Sequence, residues 1–248
     1  NYLTENLRTV ALVGHGSCGK TSLIEAMLYR TGMISELGSI ERGNTMCDND
    51  ALEKQVQHSI RLAVAHVDTA LPDLTPVRIH VLDTPGYPDY IGQDMSALDA
   101  VKSVCAVIDA TKGVLVQTRR HARICALMGI HYFIFAINKM DLAGYSQERF
   151  EEIKAQIAKL RDELELANVV LIPVSATEGD NVTKASTNMP WYQGPTILDY
   201  LETVNVEEDE EEGFYLPIQR VCRPNHTFRG FQGQIESGSL AVGDTITT

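Results

Sequence analysis

The stretch GHGSCGKTS at residues 14–22 constrains the fold more than any other part of the sequence. It satisfies the pattern G-x-x-x-x-G-K-[S/T], follows the apolar run at residues 9–13 and opens a helical pattern. In such a loop the glycines let backbone N–H groups wrap a phosphate, and the helix N-terminus adds positive potential. The sequence therefore predicts a strand–loop–helix unit that binds a nucleotide phosphate.

The residues of this loop have separate expected roles. Lys20 is expected to bridge the β- and γ-phosphate oxygens, and the hydroxyl of Thr21 to bind Mg²⁺. Cys18 lies near a helix N-terminus, which predicts a lowered thiol pKa and leaves open a redox role beside that of a tolerated small side chain. The binding residues predicted from the loop are Gly14, His15, Gly16, Ser17, Cys18, Gly19, Lys20, Thr21 and Ser22.

Short apolar runs alternate with helical patterns along most of the chain. This alternation predicts an α/β fold of the P-loop NTPase type, a doubly wound and mostly parallel sheet whose strands are buried on both faces. A further strand at residues 58–67 is expected, antiparallel at an edge. The predicted strands are residues 9–13, 77–82, 104–109, 132–137 and 169–174. The predicted helices are residues 21–30, 91–102, 117–128 and 147–166.

A second phosphate-sensing motif, DTPG at residues 83–86, follows the next buried strand. The carboxylate of Asp83 is expected to hold Mg²⁺ through water, and the N–H group of Gly86 to meet the γ-phosphate. Together with the first loop, this motif predicts a nucleoside triphosphate site with a bound magnesium ion.

The base is predicted to be guanine from two further motifs, NKMD at residues 138–141 and SA at Ser175 and Ala176. Asp141 can accept hydrogen bonds from guanine N1 and N2, and a buried carboxylate left unpaired by adenine is costly. Asn138 is expected to brace the loop, Lys139 to pack along the base and the N–H group of Ala176 to meet guanine O6. All four motifs in order predict a domain that binds GTP or GDP.

The expected catalytic residues are Lys20, Gly86 and Tyr87. Tyr87 directly follows DTPG, and its hydroxyl, with an ordinary pKa near 10, is a poor base at neutral pH. We therefore predict slow intrinsic hydrolysis of GTP that a partner accelerates. The loop between the first helix and Asp83 is expected to contain the other switch segment, with a hydroxyl that binds Mg²⁺. The candidates are Thr45 and Ser59, and Ser59 is favoured because it directly precedes an apolar strand pattern.

Composition excludes several classes of protein. The net charge of −12 argues against a general nucleic-acid binder, and no direct nucleic-acid binding is expected. Five cysteines without a C-x-x-C pair indicate neither a disulfide framework nor a zinc site, which favours a reducing cytoplasm. No apolar run reaches the roughly 18 residues that cross a membrane, so no membrane association is expected.

The domain organisation changes after residue 204. Residues 1–204 are expected to form the GTP-binding domain, and residues 205–213, which include EEDEEE, an acidic linker. Residues 214–248 are Gly-rich with short alternating patterns, which predicts part of a second domain, a translation-factor-type β-barrel.

With these motifs placed, the sequence resembles the translation-factor superfamily of GTPases, in two parts. Residues 7–95 resemble elongation factor G, through VALVGHGSCGKTSLIEAML, TGMISELGSIERGNT and LDTPGYPDYIG. The likeness is greater to divergent paralogues of that factor, which also carry tyrosine after DTPG. Residues 104–248 resemble the large, GTPase subunit of bacterial sulfate adenylyltransferase, through IDATKGVLVQTRRHARICALMGI, AINKMDL and RPNHTFRGFQG.

Two departures qualify these resemblances. Elongation factor G carries an inserted subdomain where this chain has only 33 residues, between Asp141 and Ser175. The sulfate enzyme has histidine where this chain has Tyr87. The likeness changes near residues 96–104, and the sequence leaves open whether a natural lineage combines the two parts or two parents are joined there.

The resemblance implies three alternative functions. The first is a GTPase subunit that couples GTP hydrolysis to adenylyl transfer from ATP to sulfate, with the adenylyl-transferring site on a separate small subunit. The second is an elongation GTPase that acts on the ribosome. The third is a GTP-binding module with little turnover. The first is favoured, because the missing insertion and the acidic linker count against a full factor-G role.

Overall fold

The computed structural model describes residues 2–3, 6–47, 62–86, 98, 101–204, 214–225, 227–235 and 237–245. They belong to two units, Asn1–Val206 and Glu207–Thr248. The acidic segment at residues 205–213 and most of the helix predicted at residues 91–102 lie outside the described residues.

A six-stranded sheet, in the order β2-β3-β1-β4-β5-β6, forms the centre of the first unit. β2 runs antiparallel to β3 at one edge, and every other neighbouring pair is parallel. The sheet is therefore mixed and mostly parallel, as predicted. Its strands are β1 (Leu7–Val13), β2 (Ala63–Ala70), β3 (Pro76–Asp83), β4 (Ser103–Asp109), β5 (Tyr132–Asn138) and β6 (Val169–Pro173).

Helices cover both faces of this sheet. Helices α1 and α4 pack against one face, whereas α2 and α3 pack against the other. The described helices are α1 (Lys20–Arg30), α2 (Val116–Leu127), α3 (Gln147–Leu164) and α4 (Ile197–Thr203). Two covered faces explain why β4 is buried at every position and reads as a continuous apolar run.

Helix α3 shows how local sequence sets these elements. The Ser146 hydroxyl accepts a hydrogen bond from the N–H group of Arg149 at 3.1 Å and so caps the first turn. Phe150, Ile153 and Ile157 recur at helical spacing and are buried against the sheet. The predicted helix extended to residue 166, but α3 ends at Leu164 because the next residue has left-handed backbone.

The parallel strands bring their carboxyl ends to one edge of the sheet. β1 lies between β3 and β4, and the chain crosses from one side of β1 to the other after β3. Ligands of doubly wound sheets bind at such a switch point, outside the carboxyl ends of the strands. The phosphate loop follows β1, so the order of strands places it there.

Two elements differ from the sequence prediction. The edge strand was predicted at residues 58–67, but β2 runs from Ala63 to Ala70, because its pairing with β3 continues through polar positions such as Asp68. Helix α4 was not predicted. Its seven residues are too short for a clear period, although Thr196 and Asp199 form a reciprocal capping box at its start.

The second unit contains a two-stranded antiparallel sheet, β7 (Arg220–Asn225) and β8 (Phe228–Gln232). A bridge also pairs Tyr215 with Ser237. The β-barrel expected for this part of the chain stays a prediction.

Candidate functional site

The phosphate loop leaves β1 and turns through left-handed backbone. Ser17 has a φ of 63° and Gly19 a φ of 96°, a region that glycine occupies without steric cost. The Nζ atom of Lys20 donates to the carbonyl oxygens of Gly14 at 2.9 Å and His15 at 3.3 Å. The Lys20 ammonium therefore lies against the first residues of the loop, at the N-terminus of α1.

Thr21 and Asp83, both predicted to hold Mg²⁺, lie in contact. The Thr21 hydroxyl donates to Oδ2 of Asp83 at 2.7 Å, and both side chains are buried. A hydroxyl and a carboxylate are hard oxygen donors of the kind that Mg²⁺ prefers. These residues therefore fit a magnesium ion bound with a nucleotide, and they are the ones that would hold it.

The DTPG turn packs tightly on the phosphate loop. The Thr84 hydroxyl donates to the carbonyl oxygen of Leu12 at 2.7 Å and ties the turn to β1. A Cβ at position 86 would lie 2.6 Å from the Gly16 nitrogen and 2.5 Å from Nζ of Lys20. Because the nitrogen belongs to the backbone, only glycine fits at position 86.

Asn138 joins three loops of the site. Its Nδ2 atom donates to the carbonyl oxygen of Cys18 at 3.0 Å, and its Oδ1 atom accepts from the N–H group of Ala176 at 3.0 Å. The NKMD loop is thereby braced against the phosphate loop and the SA loop. The Ala176 N–H group, which was expected on guanine O6, donates to Asn138 here, and its contact with the base stays a prediction.

Asp141 is oriented by the SA motif. The hydroxyl of Ser175 donates to Oδ1 of Asp141 at 2.7 Å, and Ser175 is fully buried. A carboxylate with one oxygen fixed in this way is held in a defined orientation; its contact with guanine N1 and N2 stays a prediction.

Lys139 carries a contact that the sequence did not reveal. Its Nζ atom donates to Oδ2 of Asp109 at 2.8 Å and to the carbonyl oxygen of Ser17 at 2.7 Å. Asp109 is 2% exposed and also accepts from the Thr111 hydroxyl at 2.6 Å. Like the predicted residues Asp83 and Asn138, Asp109 is a polar residue at the end of a buried strand. It pairs in register with Asn138.

The structure corrects the expectation for Cys18. Burial raises the pKa of the Cys18 thiol, and the nearby Lys20 and Lys139 do not overcome that effect. Cys18 is fully buried, so the helix N-terminus does not produce a reactive thiolate, and the reading of a small packed side chain is favoured. Burial likewise lowers the pKa of His15.

The structure describes most, but not all, of the predicted site residues. Ser59 and Tyr87 lie outside the described residues. Thr45, the other candidate for the switch hydroxyl, is buried. The predicted residues that lie around the loops at the carboxyl edge of the sheet are Gly14, His15, Gly16, Ser17, Cys18, Gly19, Lys20, Thr21, Ser22, Asp83, Gly86, Asn138, Lys139, Asp141, Ser175 and Ala176.

Sequence reasoning also missed Glu25, whose side chain in α1 is 1% exposed. A charged residue inside an otherwise apolar helix pattern is a weak signal, because the burial of the carboxylate depends on backbone donors from another segment.

Within the described part of the chain, no helix is both long and apolar enough to cross a bilayer.

The chain matches the family described as the elongation factor Tu GTP binding domain over residues 5–207. It is 37% identical over 241 residues to sulfate adenylyltransferase subunit 1 of Francisella tularensis subsp. novicida, covering 92% of this chain and 51% of that protein. A protein of the same name from Vibrio vulnificus is 48% identical over 169 residues, covering 67% of this chain and 36% of that protein. The chain spans about half the length of the first relative.

Solved structures show the same fold. The GTPase-like domain of S. cerevisiae Ski7 bound to GTP superimposes with a TM-score of 0.68 at 21% identity, covering 94% of this chain and 58% of that one. The likeness to sulfate adenylyltransferase subunit 1 extends beyond residues 104–248, since it covers 92% of the chain. The resemblance to translation-factor GTPases is confirmed: the chain belongs to the elongation factor Tu GTP-binding domain family of GTPases.

Proposed function

We propose that the chain is the GTP-hydrolysing part of a regulatory subunit of the sulfate adenylyltransferase type. In this role GTP hydrolysis is coupled to formation of adenylylsulfate from ATP and sulfate on a partner subunit. The observation that carries the proposal is the 48% identity, over 169 residues, to a protein named sulfate adenylyltransferase subunit 1. The site geometry supports the GTP part independently.

The residues of the site have separate proposed roles in binding and hydrolysing GTP. Lys20 offsets charge on the β- and γ-phosphates, and the buried pair of Thr21 and Asp83 would hold Mg²⁺, which supplies further positive charge to the phosphates. Gly86 lies next to Gly16 and to the ammonium group of Lys20, and its N–H group is proposed to meet the γ-phosphate. These groups position and stabilise charge, which is the protein's main contribution to phosphoryl transfer.

Selection of guanine is assigned to Asp141. Its Oδ1 atom is held by Ser175 at 2.7 Å, so the carboxylate meets the N1 and N2 donors of guanine in a fixed orientation. Adenine lacks that pair of donors, and the carboxylate would be left without its partners. The proposal is therefore GTP rather than ATP at this site.

The partner is proposed to be the small subunit of a sulfate adenylyltransferase, in the cytoplasm. The four nucleotide motifs of this chain all serve one GTP site, so adenylyl transfer is assigned to the partner subunit. No role at a membrane is proposed, and none in nucleic-acid binding, in keeping for the latter with the net charge of −12.

The experiment is a measurement of phosphate release from GTP by the purified chain. It is run alone and with a sulfate adenylyltransferase small subunit, ATP and sulfate, and adenylylsulfate is measured in parallel. The proposal predicts GTP turnover that rises with the small subunit, and a Lys20→Ala variant that loses turnover. A wild-type chain that the small subunit neither binds nor stimulates would contradict the proposed partner.

The alternative is a translation elongation GTPase, with which the match of residues 5–207 to the elongation factor Tu GTP binding domain is also compatible. Ribosomes added in place of the small subunit distinguish the two, because stimulation by ribosomes alone supports the alternative. GTP that stays bound and unhydrolysed for hours under both conditions supports a binding module with little turnover.

A further inference from the structure

Glu25 is a buried carboxylate to which the GTP site assigns no role. It lies in α1 one turn after Thr21, and its side chain is 1% exposed. A charge that is removed from water is costly unless hydrogen bonds compensate for the lost solvation. The position of Glu25 therefore depends on the groups that its two oxygens accept from.

Those groups are backbone N–H donors at the two ends of one loop segment. The N–H group of Gly38 donates to Oε2 of Glu25 at 3.1 Å, and that of Met46 donates to Oε1. Hydrogen bonds to a charged acceptor are among the stronger ones in proteins. Residues 38–46, called the 38–46 segment below, are thus fastened to α1 at both ends by one side chain.

Bonds within the 38–46 segment make it a coherent unit. The N–H group of Ser39 donates to Oδ1 of Asn44 at 2.9 Å, and that of Gly43 donates to the carbonyl oxygen of Ile40 at 3.0 Å. The N–H group of Arg42 donates to the Ser39 hydroxyl at 3.2 Å. Since the segment is braced internally, loss of its contacts with Glu25 is expected to loosen the segment as one unit.

The fit between Glu25 and the segment is close. A Cβ built at position 38 would collide with Oε2 of Glu25 and would lie 2.9 Å from the carbonyl oxygen of Asn44. Position 38 therefore requires glycine because of this close approach. The segment also carries Thr45, which is 4% exposed and directly precedes the held N–H group of Met46.

We infer that Glu25 is a positioning residue that holds the 38–46 segment, and with it Thr45, against the helix that begins with Lys20 and Thr21. The inference rests on the proposed GTP site. Because Glu25 and Thr21 share α1, this carboxylate fixes the segment relative to the helix that carries the proposed magnesium-site hydroxyl. Loss of the carboxylate is therefore expected to loosen the segment and to weaken binding of GTP, which needs the magnesium site, more than binding of GDP.

The first test is limited trypsin cleavage after Arg42, whose side chain is exposed in the middle of the segment. In Glu25→Gln one accepting oxygen is replaced by a donating amide, so one N–H group of the loop loses its acceptor. Cleavage at Arg42, followed by mass spectrometry of the whole chain, is expected to become about tenfold faster or more. Glu163→Gln, which removes an exposed carboxylate paired with Arg123 at 2.8 Å, is the matched control and is expected to leave that rate unchanged.

The second test separates positioning from general support of the fold. Affinities for a fluorescent non-hydrolysable GTP analogue and for fluorescent GDP are measured for wild type and Glu25→Gln. The analogue is expected to bind about tenfold more weakly, whereas GDP affinity changes less than about twofold, because only the triphosphate depends on the segment. Equal losses for both nucleotides, or no loss for either, would overturn the inference.

Gly38→Ala reaches the same contact from the loop side and leaves α1 intact. It is expected to reproduce both effects, and circular dichroism shows whether each variant keeps the wild-type fold. If Glu25→Gln does not fold, Gly38→Ala alone decides the question, and unchanged cleavage and affinities in it overturn the inference. A wild-type chain that binds neither nucleotide would instead refute the GTP site itself.

Discussion

The ammonium group of Lys139 lies 2.8 Å from Oδ2 of Asp109, a carboxylate that is 2% exposed. The same ammonium donates to the carbonyl oxygen of Ser17 in the phosphate loop at 2.7 Å. One ion pair thus connects the end of β4, the NKMD loop and the phosphate loop. Since the base and the phosphates of one nucleotide are predicted to contact the latter two loops, we expect Asp109 to influence both ends of the ligand through Lys139.

Replacing Asp109 with asparagine is expected to weaken binding of GTP and GDP alike. The variant keeps the shape of the side chain and an acceptor for Thr111, but it removes the charge that holds Lys139. We expect affinities about threefold to tenfold lower for both nucleotides, and a free energy of unfolding lower by about 1–2 kcal/mol. Titration with fluorescent GDP and GTP analogues checks the first value, and urea unfolding checks the second. Asp162→Asn on the exposed face of α3 is the control and should change neither.

The pH dependence of this ion pair has a definite sign. Burial is the largest influence and by itself raises the pKa of Asp109, but hydrogen bonds from Lys139 and Thr111 outweigh it and lower that pKa below its usual value. The stabilisation from the ionised carboxylate is therefore complete above about pH 4, the ordinary value for aspartate, and is lost as the pH falls through the lowered pKa. The difference in unfolding free energy between wild type and Asp109→Asn should be constant from neutral pH down to about pH 4.5 and shrink below about pH 3.9. A difference that grew with acidity would contradict the ion pair.

Asp141→Asn is expected to change the base that the chain selects. Asparagine presents an acceptor and a donor where aspartate presents two acceptors, and xanthine carries a carbonyl oxygen where guanine carries the N2 amino group. GTP affinity should fall about tenfold to hundredfold, and xanthosine triphosphate should bind better than it does to wild type. Ser175→Ala, which removes only the hydroxyl that orients Asp141, should weaken GTP without improving xanthosine triphosphate. Competition of GTP and of xanthosine triphosphate against fluorescent GDP measures these affinities in both variants and in wild type.

Gly86→Ala tests the packing of the DTPG turn on the phosphate loop. The added methyl group has no room, because the Gly16 nitrogen would lie 2.6 Å away. The turn must move, so we expect GTP hydrolysis to fall by about tenfold or more, while GDP, which lacks the γ-phosphate, binds within about threefold of wild type. Single-turnover phosphate release and GDP titration provide the two measurements. Unchanged hydrolysis would show that the turn adopts another position when GTP is bound.

Thiol labelling tests the environment of the cysteines. Burial raises the pKa of Cys18, and it raises the pKa of Cys105 to about 12. Cys47 and Cys125 are also buried, whereas Cys222 is partly exposed. In native buffer at pH 8, a thiol-reactive disulfide reagent should therefore modify Cys222 first, and denaturant should release the rest. Fast labelling of Cys18 in the folded chain would restore the redox role that its burial argues against.

The predicted and observed structures agree where a residue's environment follows from its neighbours in the sequence. Residues 14–22 fold as a phosphate loop because glycine, strand and helix signals coincide there, and Asp83 and Asn138 were found because each ends an apolar run. Asp109 meets the same rule, but a lone carboxylate at a strand end reads equally well as a turn residue. Its role emerged only from Lys139, which is 30 positions away.

Glu25 shows a second limit of sequence reasoning. The sequence predicts the helix that carries it, but the donors at Gly38 and Met46 are backbone groups, which leave no side-chain signal. The edge strand β2 shows a third limit. Its span is set by cross-strand partners such as Asp68 and Arg78, which form an ion pair at 2.6 Å, rather than by its own apolar residues.

Tyr87, which lies outside the described residues, carries a phenol with an ordinary pKa near 10. It directly follows DTPG, where a histidine, with an ordinary pKa near 6.5, is a better group than a phenol for positioning or deprotonating water. Tyr87→His is expected to raise the single-turnover rate of GTP hydrolysis by about tenfold or more, both alone and with the partner subunit. Tyr87→Phe, which removes only the hydroxyl, is the control and separates a hydrogen bond from the bulk of the ring. If the histidine variant hydrolyses GTP no faster under either condition, Tyr87 does not limit the rate, and the positioning of Thr45 by Glu25 becomes the next candidate.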